Sequence, residues 1–254
     1  MSRRPPLLSV ICCAHNEEEY IDRFMPNLLN ALNSFSSEVI FVADRCSDRT
    51  VGRVQKYKVK VIEKTWRRWR NSYAESLQTG FLNARGQLIA IIDVDLILPT
   101  QFFEKTIPML RGKVASVASQ VITYPDTFLS RLIYAWERTY NFAPLGKGPY
   151  GAARVIIKRI LDEIGGFRDV FSVDTDLDFR LERRGYNSIT IPSVKVYHAR
   201  HESLGSIVSR QIRIGRGRYM IGVSLLRTVA HSIFRLRPFV IAGWFMEWLR
   251  TEKS

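Results

Sequence analysis

The stretch QLIAIIDVDLILP, residues 87–99, is an apolar run broken by Asp93 and Asp95 and then resumed. Its aliphatic residues occupy every position rather than alternate ones, the pattern of a strand covered on both faces. Residues two apart on an extended chain project to one side. The two carboxylates are therefore expected to stand together where the strand ends, able to share a hard cation through oxygen ligands. The bland alternative is that they cap a helix beginning near Pro99.

The pattern recurs upstream. LLSVICC (7–13) precedes a helical stretch from about 17 to 33, EVIFVA (38–43) precedes one from 48 to 57, and VKVIE (59–63) precedes one from 71 to 84. Apolar strands alternating with helical crossovers predict an α/β fold with a mostly parallel central sheet flanked by helices. Ligands of such sheets bind beyond the carboxyl ends of the strands. AHNEEE, DRCSDRT and DVD follow three of these strands, so carboxylates and amides are expected to converge on one rim.

Composition sets the outer bounds. A chain of 254 residues with 46% hydrophobic content suits a packed globular protein rather than a disordered one. The formal charge of +14 points to an anionic partner, and about half of the excess lies beyond residue 199, where ten Lys and Arg face Glu202, Glu247 and Glu252. Three cysteines, with Cys12 and Cys13 adjacent in an apolar run, offer no CxxC pattern, and a reduced intracellular setting follows. The basic start MSRRPP runs into a short apolar segment without a small-residue cleavage site, which reads as a buried strand rather than a signal peptide.

Four segments in order carry a resemblance. AHNEEEYI, VADRCSDRT, ARGQLIAIIDVD and DEIGGFRDVFSVDTDLDFRLERRGY resemble the family 2 glycosyltransferases, inverting enzymes of the GT-A fold, over roughly residues 7–220. Ala14, Ala43 and Val173 depart from the pattern, standing where the family has Pro, Asp and the Glu of its ED pair. The resemblance implies a catalytic domain over 1–218, with a nucleotide-binding half (1–98) and an acceptor-binding half (99–218). It implies a nucleotide-sugar donor, a divalent metal (Mn²⁺ or Mg²⁺) on Asp95, Asp93 and His198, and Asp174 as the base that takes the acceptor's proton. Asp176 is the rival base.

Donor contacts are expected from Ala14, Asn16, Glu17, Asp44, Arg70, Asp93, Gly151, Arg213 and Arg216, with Asp44 accepting from the nucleotide base. Simple helix capping remains open for Asn16 and Asp174, and an Asx turn for Asp44. Arg67, Arg68 and Arg70 are interleaved with Trp66 and Trp69 and suit either the diphosphate or a solvated or membrane-facing surface. Gly165 and Gly166 read as a helix stop. His198 and His201 follow the last strand, and RQIRIGRGRY (210–219) suits a diphosphate or a phosphorylated acceptor.

Residues 219–254 read as amphipathic helices at a membrane interface, because Arg227, Arg235, Arg237 and Pro238 leave apolar runs shorter than the ~20 residues that span a bilayer. Packing on the catalytic domain, or a homodimer contact, is the alternative. The expected setting is cytoplasmic, peripheral on the inner face of the cell membrane, with a glycan or polyprenyl-phosphate acceptor. A nucleic-acid binder finds support in charge but not in any motif, and a non-catalytic nucleotide-sugar binder is the third reading.

Overall fold

The computed structural model describes residues 6–139, 151–200 and 203–252. The first half alternates strand and helix: β1 Leu8–Ala14, α1 Glu18–Leu32, β2 Ser37–Asp44, α2 Thr50–Val54, β3 Lys60–Lys64, α3 Ser72–Leu82 and β4 Leu88–Ile92. The expected helices are all present, with bounds trimmed by one to a few residues. β5 (Leu96–Ile97), α4 (Phe102–Thr106), β6 (Val114–Thr123), α5 (Phe128–Thr139), β7 (Ala153–Ile157), α6 (Lys158–Glu163), α7 (Val173–Arg183) and β8 (Asn187–His198) follow. Three helices close the chain: α8 Leu204–Met220, α9 Leu225–Phe234 and α10 Phe239–Glu252.

One sheet runs in the order β3-β2-β1-β4-β7-β6-β8-β5. β3, β2, β1 and β4 are parallel, β7 is antiparallel to both neighbours, β6 and β8 are parallel, and β5 returns antiparallel on β8. The chain moves outward from β1 through β2 to β3 and then returns to the other side of β1 with β4. That reversal is the switch point where such sheets open a ligand crevice, and β4 ends there in Asp93.

Continuous apolar runs are explained by the two cores. Val10 and Cys12 face Phe24, Met25 and Leu28 of α1, whereas Ile11 and Ile91 face Leu77 and Phe81 of α3 on the other side. The middle residues of β1, β2 and β4 are thereby removed from water on both faces, which an alternating sequence could not satisfy. Val173 belongs to the second core beside Leu177 and Ile164. A Glu at this position would be buried among aliphatic side chains.

The closing helices are tied to the sheet domain rather than lying apart. A Cβ at Gly215 would meet the Val240 carbonyl oxygen at 2.0 Å, and one at Gly243 would meet that of Ile212 at 2.1 Å, so α8 and α10 cross with their backbones in contact. Glu247 of α10 is buried, accepts from Arg216 Nε at 2.9 Å and pairs with Arg70. Both guanidinium groups lie over the Phe171 ring.

Candidate active site

The loops after β1 and β2 are stapled together by their own polar groups. Asn16, at φ 56°, accepts from the Ser47 N–H at 2.8 Å, and the Glu17 N–H donates to Thr50 Oγ1 at 2.8 Å. Asn16 thus caps the neighbouring loop and not α1, whose N-cap is Glu17. Ala14 closes β1, buried, and its carbonyl accepts from the Cys46 thiol.

Asp44 ends β2 with its carboxylate saturated. Oδ1 accepts from Arg45 Nε at 2.9 Å and Lys64 Nζ at 2.6 Å, while Oδ2 accepts from Arg45 Nη2 at 3.2 Å and from Ser72. Burial would raise its pKa, but these donors outweigh burial and hold it at about 2. Four donors fill the roughly four lone-pair positions of a carboxylate. Of these donors Lys64 is fully buried and Arg45 partly exposed, so Asp44 has no lone-pair position left over as it stands.

The two aspartates of the DVD segment do not lie on extended chain. The Leu96 N–H donates to the Asp93 carbonyl at 3.3 Å, closing a turn, because the chain must leave β4 and come back on β8 through Leu96 and His198. The aspartates therefore take different partners. Asp93 accepts from Tyr73 Oη at 2.7 Å, and burial, then the charge of Asp95, push its pKa up. Asp95 Oδ2 accepts from Arg200 Nε at 3.0 Å and lies 3.5 Å from His198 Nδ1. These partners outweigh burial, keeping Asp95 ionised, while Asp95 in turn raises the pKa of His198 against the effect of burial. Neither aspartate caps α4, which begins at Phe102.

α7 carries three aspartates with three different fates. Asp176 accepts from Arg180 Nε at 2.7 Å, and Arg180 also donates to the Ile164 and Gly166 carbonyls. Asp178 pairs with the buried Arg154 of β7 at 2.5 Å. Asp174, in the first turn, has no hydrogen-bond donor or cation on its carboxylate among the described residues, and its charge reaches both Asp93 and Tyr73. Gly151 abuts it: a Cβ there would stand 2.9 Å from Asp174 Cγ. Gly165 and Gly166 end α6 at φ 79° and 70°, as a helix stop requires.

The sequence profile of glycosyl transferase family 2 matches residues 9–163. The chain belongs to this family. A dolichol-phosphate mannosyltransferase of Pyrococcus furiosus is 30% identical over 120 residues, 45% of this chain and 33% of that protein. A probable glycosyltransferase of Bacillus subtilis is 25% identical over 248 residues, 87% of this chain and 57% of its own length. The chain thus spans between a third and somewhat over half of these curated relatives. In structure it superposes on a mannosyltransferase of Pyrobaculum calidifontis with a TM-score of 0.68 at 20% identity, covering 99% of this chain and 76% of that one. A glucosyl-3-phosphoglycerate synthase of Mycobacterium tuberculosis gives 0.63 at 19% identity, covering 86% and 80%. The fold is the GT-A fold of these family 2 enzymes.

In this family 2 chain, Arg200 joins Glu17 to Asp95 beside His198, Asp174 abuts Gly151 with its charge reaching Asp93, and Asn16 is held by the Ser47 loop. Arg70 and Arg216 pair with Glu247 and lie over Phe171, and Arg213 is exposed on α8. Arg67 donates to the Trp69 and Arg70 carbonyls. His201 lies outside the described residues. Sequence reasoning passed over Arg200, Tyr73, Lys64 and Ser72. Arg200 stands two residues beyond His198, where a continued strand side would have placed it, whereas Lys64 carries no signal that separates it from a surface lysine.

Asp95 and His198 supply a carboxylate oxygen and an imidazole nitrogen close enough to share one divalent ion, the remaining shell falling to phosphate and water. No cluster of three or more His, Cys, Asp or Glu side chains able to ligate a metal exists among the described residues. The donor chemistry fits a metal held chiefly with its substrate, not a closed protein cage.

Proposed function

We propose that this chain transfers a glycosyl group, with inversion, from a nucleoside diphosphate sugar to an acceptor, with Asp174 as general base. The observation that carries this reading is the division of labour on α7. Asp176 and Asp178 are neutralised by arginines, while Asp174 has no cation or donor on its carboxylate among the described residues and abuts Gly151. A carboxylate bound by a guanidinium is a poor proton acceptor, whereas a free one beside the crevice can take a hydroxyl proton as that oxygen attacks the anomeric carbon.

Asn16 and Glu17 line the nucleoside side of the cleft, and Asp93 meets the donor near its ribose. Asp95 and His198 hold a divalent ion. That ion, Mn²⁺ or Mg²⁺, offsets charge on the departing diphosphate when bound. Support comes from the superposable mannosyltransferase, described in complex with GDP-mannose and Mn²⁺, and from the mycobacterial synthase, described with Mn²⁺, UDP and phosphoglyceric acid.

The acceptor class we favour is a hydroxyl-bearing, lipid-linked acceptor presented at a membrane surface. The curated mannosyltransferase relative is named for dolichol phosphate. α9 is also inside out: Thr228, which accepts from Arg218 Nε, and Ser232 are buried, while Leu226 is 80% exposed and Ile233 and Phe234 are exposed with it. Residues 203–246 contain seven arginines and no acidic residue, a charge suited to anionic lipid. Among the described residues no helix is long and apolar enough to cross a membrane.

The test is Asp174→Asn. Affinity for UDP- and GDP-sugars should persist while transfer falls by roughly 10²-fold or more. Wild-type transfer by this variant, measured with a hydroxyl-bearing glycan acceptor, removes Asp174 from the mechanism.

A further inference from the structure

We propose that Arg200 is a built-in counter-cation for Asp95, one that must release that carboxylate before a divalent ion takes it and then turn to the donor's diphosphate. The proposal rests on the metal reading above. Arg200 binds two carboxylates far apart in sequence. Nε donates to Asp95 Oδ2 at 3.0 Å, and Nη2 donates to Glu17 Oε1 and Oε2 at 2.5 and 2.6 Å. Its guanidinium also lies over the Tyr20 ring, 5.2 Å from the centroid.

The contested atom is Asp95 Oδ2. His198 Nδ1 points at the same oxygen from 3.5 Å, so the oxygen best placed to share a metal with His198 is the one Arg200 occupies. A guanidinium and a divalent cation cannot both sit on one carboxylate oxygen, because their charges repel at hydrogen-bond range in a site poor in water. Asp95 is buried and cannot turn aside, whereas the Arg200 side chain is 45% exposed. Arg200 therefore moves. Its hold on Asp95 is a single hydrogen bond, while Glu17 and Tyr20 anchor the other edge, so the guanidinium can swing about that anchor without leaving the cleft.

Two consequences follow from linkage. Without donor, Arg200 competes with the metal and weakens its binding. With donor, a diphosphate offers the displaced guanidinium a new anion to fork onto, so metal and nucleotide tighten each other's binding by the same factor.

The full-length chain is titrated with Mn²⁺ alone, following loss of the free-ion signal by electron paramagnetic resonance, as wild type, Arg200→Gln and Asp95→Asn. The titrations are repeated with saturating UDP or GDP. Arg200→Gln is expected to bind Mn²⁺ alone roughly tenfold tighter than wild type, within the usual range of coupling between sites. It should also lose most of the tightening that nucleotide confers on wild type, and Asp95→Asn should lose Mn²⁺ binding. If Asp95→Asn loses the ion but Arg200→Gln binds it no more tightly than wild type, the counter-cation role is overturned and the metal site stands. If Asp95→Asn binds Mn²⁺ as wild type does, or no protein binds it, the metal reading fails and takes this inference with it.

Discussion

Gly151→Ala is the sharpest probe of the cleft. The added methyl would stand 2.9 Å from Asp174 Cγ, 3.1 Å from its Cβ and 3.2 Å from Oδ2. Carbon atoms meet comfortably at ~3.5 Å, so the Asp174 carboxyl must retreat by roughly 0.6 Å. Nothing pairs with that carboxylate among the described residues, and it is only half-buried, so the retreat costs little stability. Catalysis is less forgiving. A misplacement of ~1 Å typically costs about 10²-fold, and about half that displacement on the same logarithmic scale gives a loss of about tenfold. The assay is single-turnover transfer at saturating donor and acceptor, with donor affinity and melting temperature measured on the same preparation. Transfer should fall about tenfold, with donor affinity and melting temperature near wild type. An alanine variant that transfers at the wild-type rate would show that the position of the Asp174 carboxyl does not limit the reaction.

Lys64→Met leaves Asp44 and Glu75, both buried, without the cation that lies 2.6 and 3.1 Å from them. Breaking a buried ion pair from one side costs about 3–5 kcal/mol, to be read as a lowered urea midpoint; a midpoint within error of wild type refutes the buried role of Lys64. Acid should act through the same network. The Asp44 pKa is depressed from 3.8 to about 2, so its contribution is present above pH 3.8 and lost as pH falls towards 2. At about 1.4 kcal/mol per pH unit it amounts to about 2 kcal/mol, and urea midpoints that stay flat over that window count against it. Finally, replacing Leu226, Ile233 and Phe234 together by Ser removes exposed apolar area without touching the buried face of α9. The variant should stay folded and lose sedimentation with anionic liposomes; undiminished sedimentation, or loss of a homodimer instead, refutes the membrane reading.

Local pattern was enough for the strands. β4 is apolar at every position, and β1 and β2 are so over residues 10–14 and 39–43, because two helical layers cover them, and that demand is written in consecutive residues. The carboxylates at the strand ends were legible for the same reason, since the polar residue after a buried strand marks the rim. The turn at Asp93–Asp95 was not, because it depends on β8 offering an edge for β5 to pair with. α7 shows the limit most plainly. Its sequence offers Asp174, Asp176 and Asp178 as near equivalents, and only the approach of Arg180 along the helix and Arg154 from β7 leaves one of them free. The arginines divide likewise: Arg70 and Arg216, which the family resemblance assigned to the donor, meet on Glu247, while Arg200 joins Glu17 and Asp95. Hydrophobic periodicity is a local demand of burial and can be read from neighbouring residues. Which charge meets which is a property of distance in space, and chain segments far apart in sequence acquire it only when the sheet is assembled.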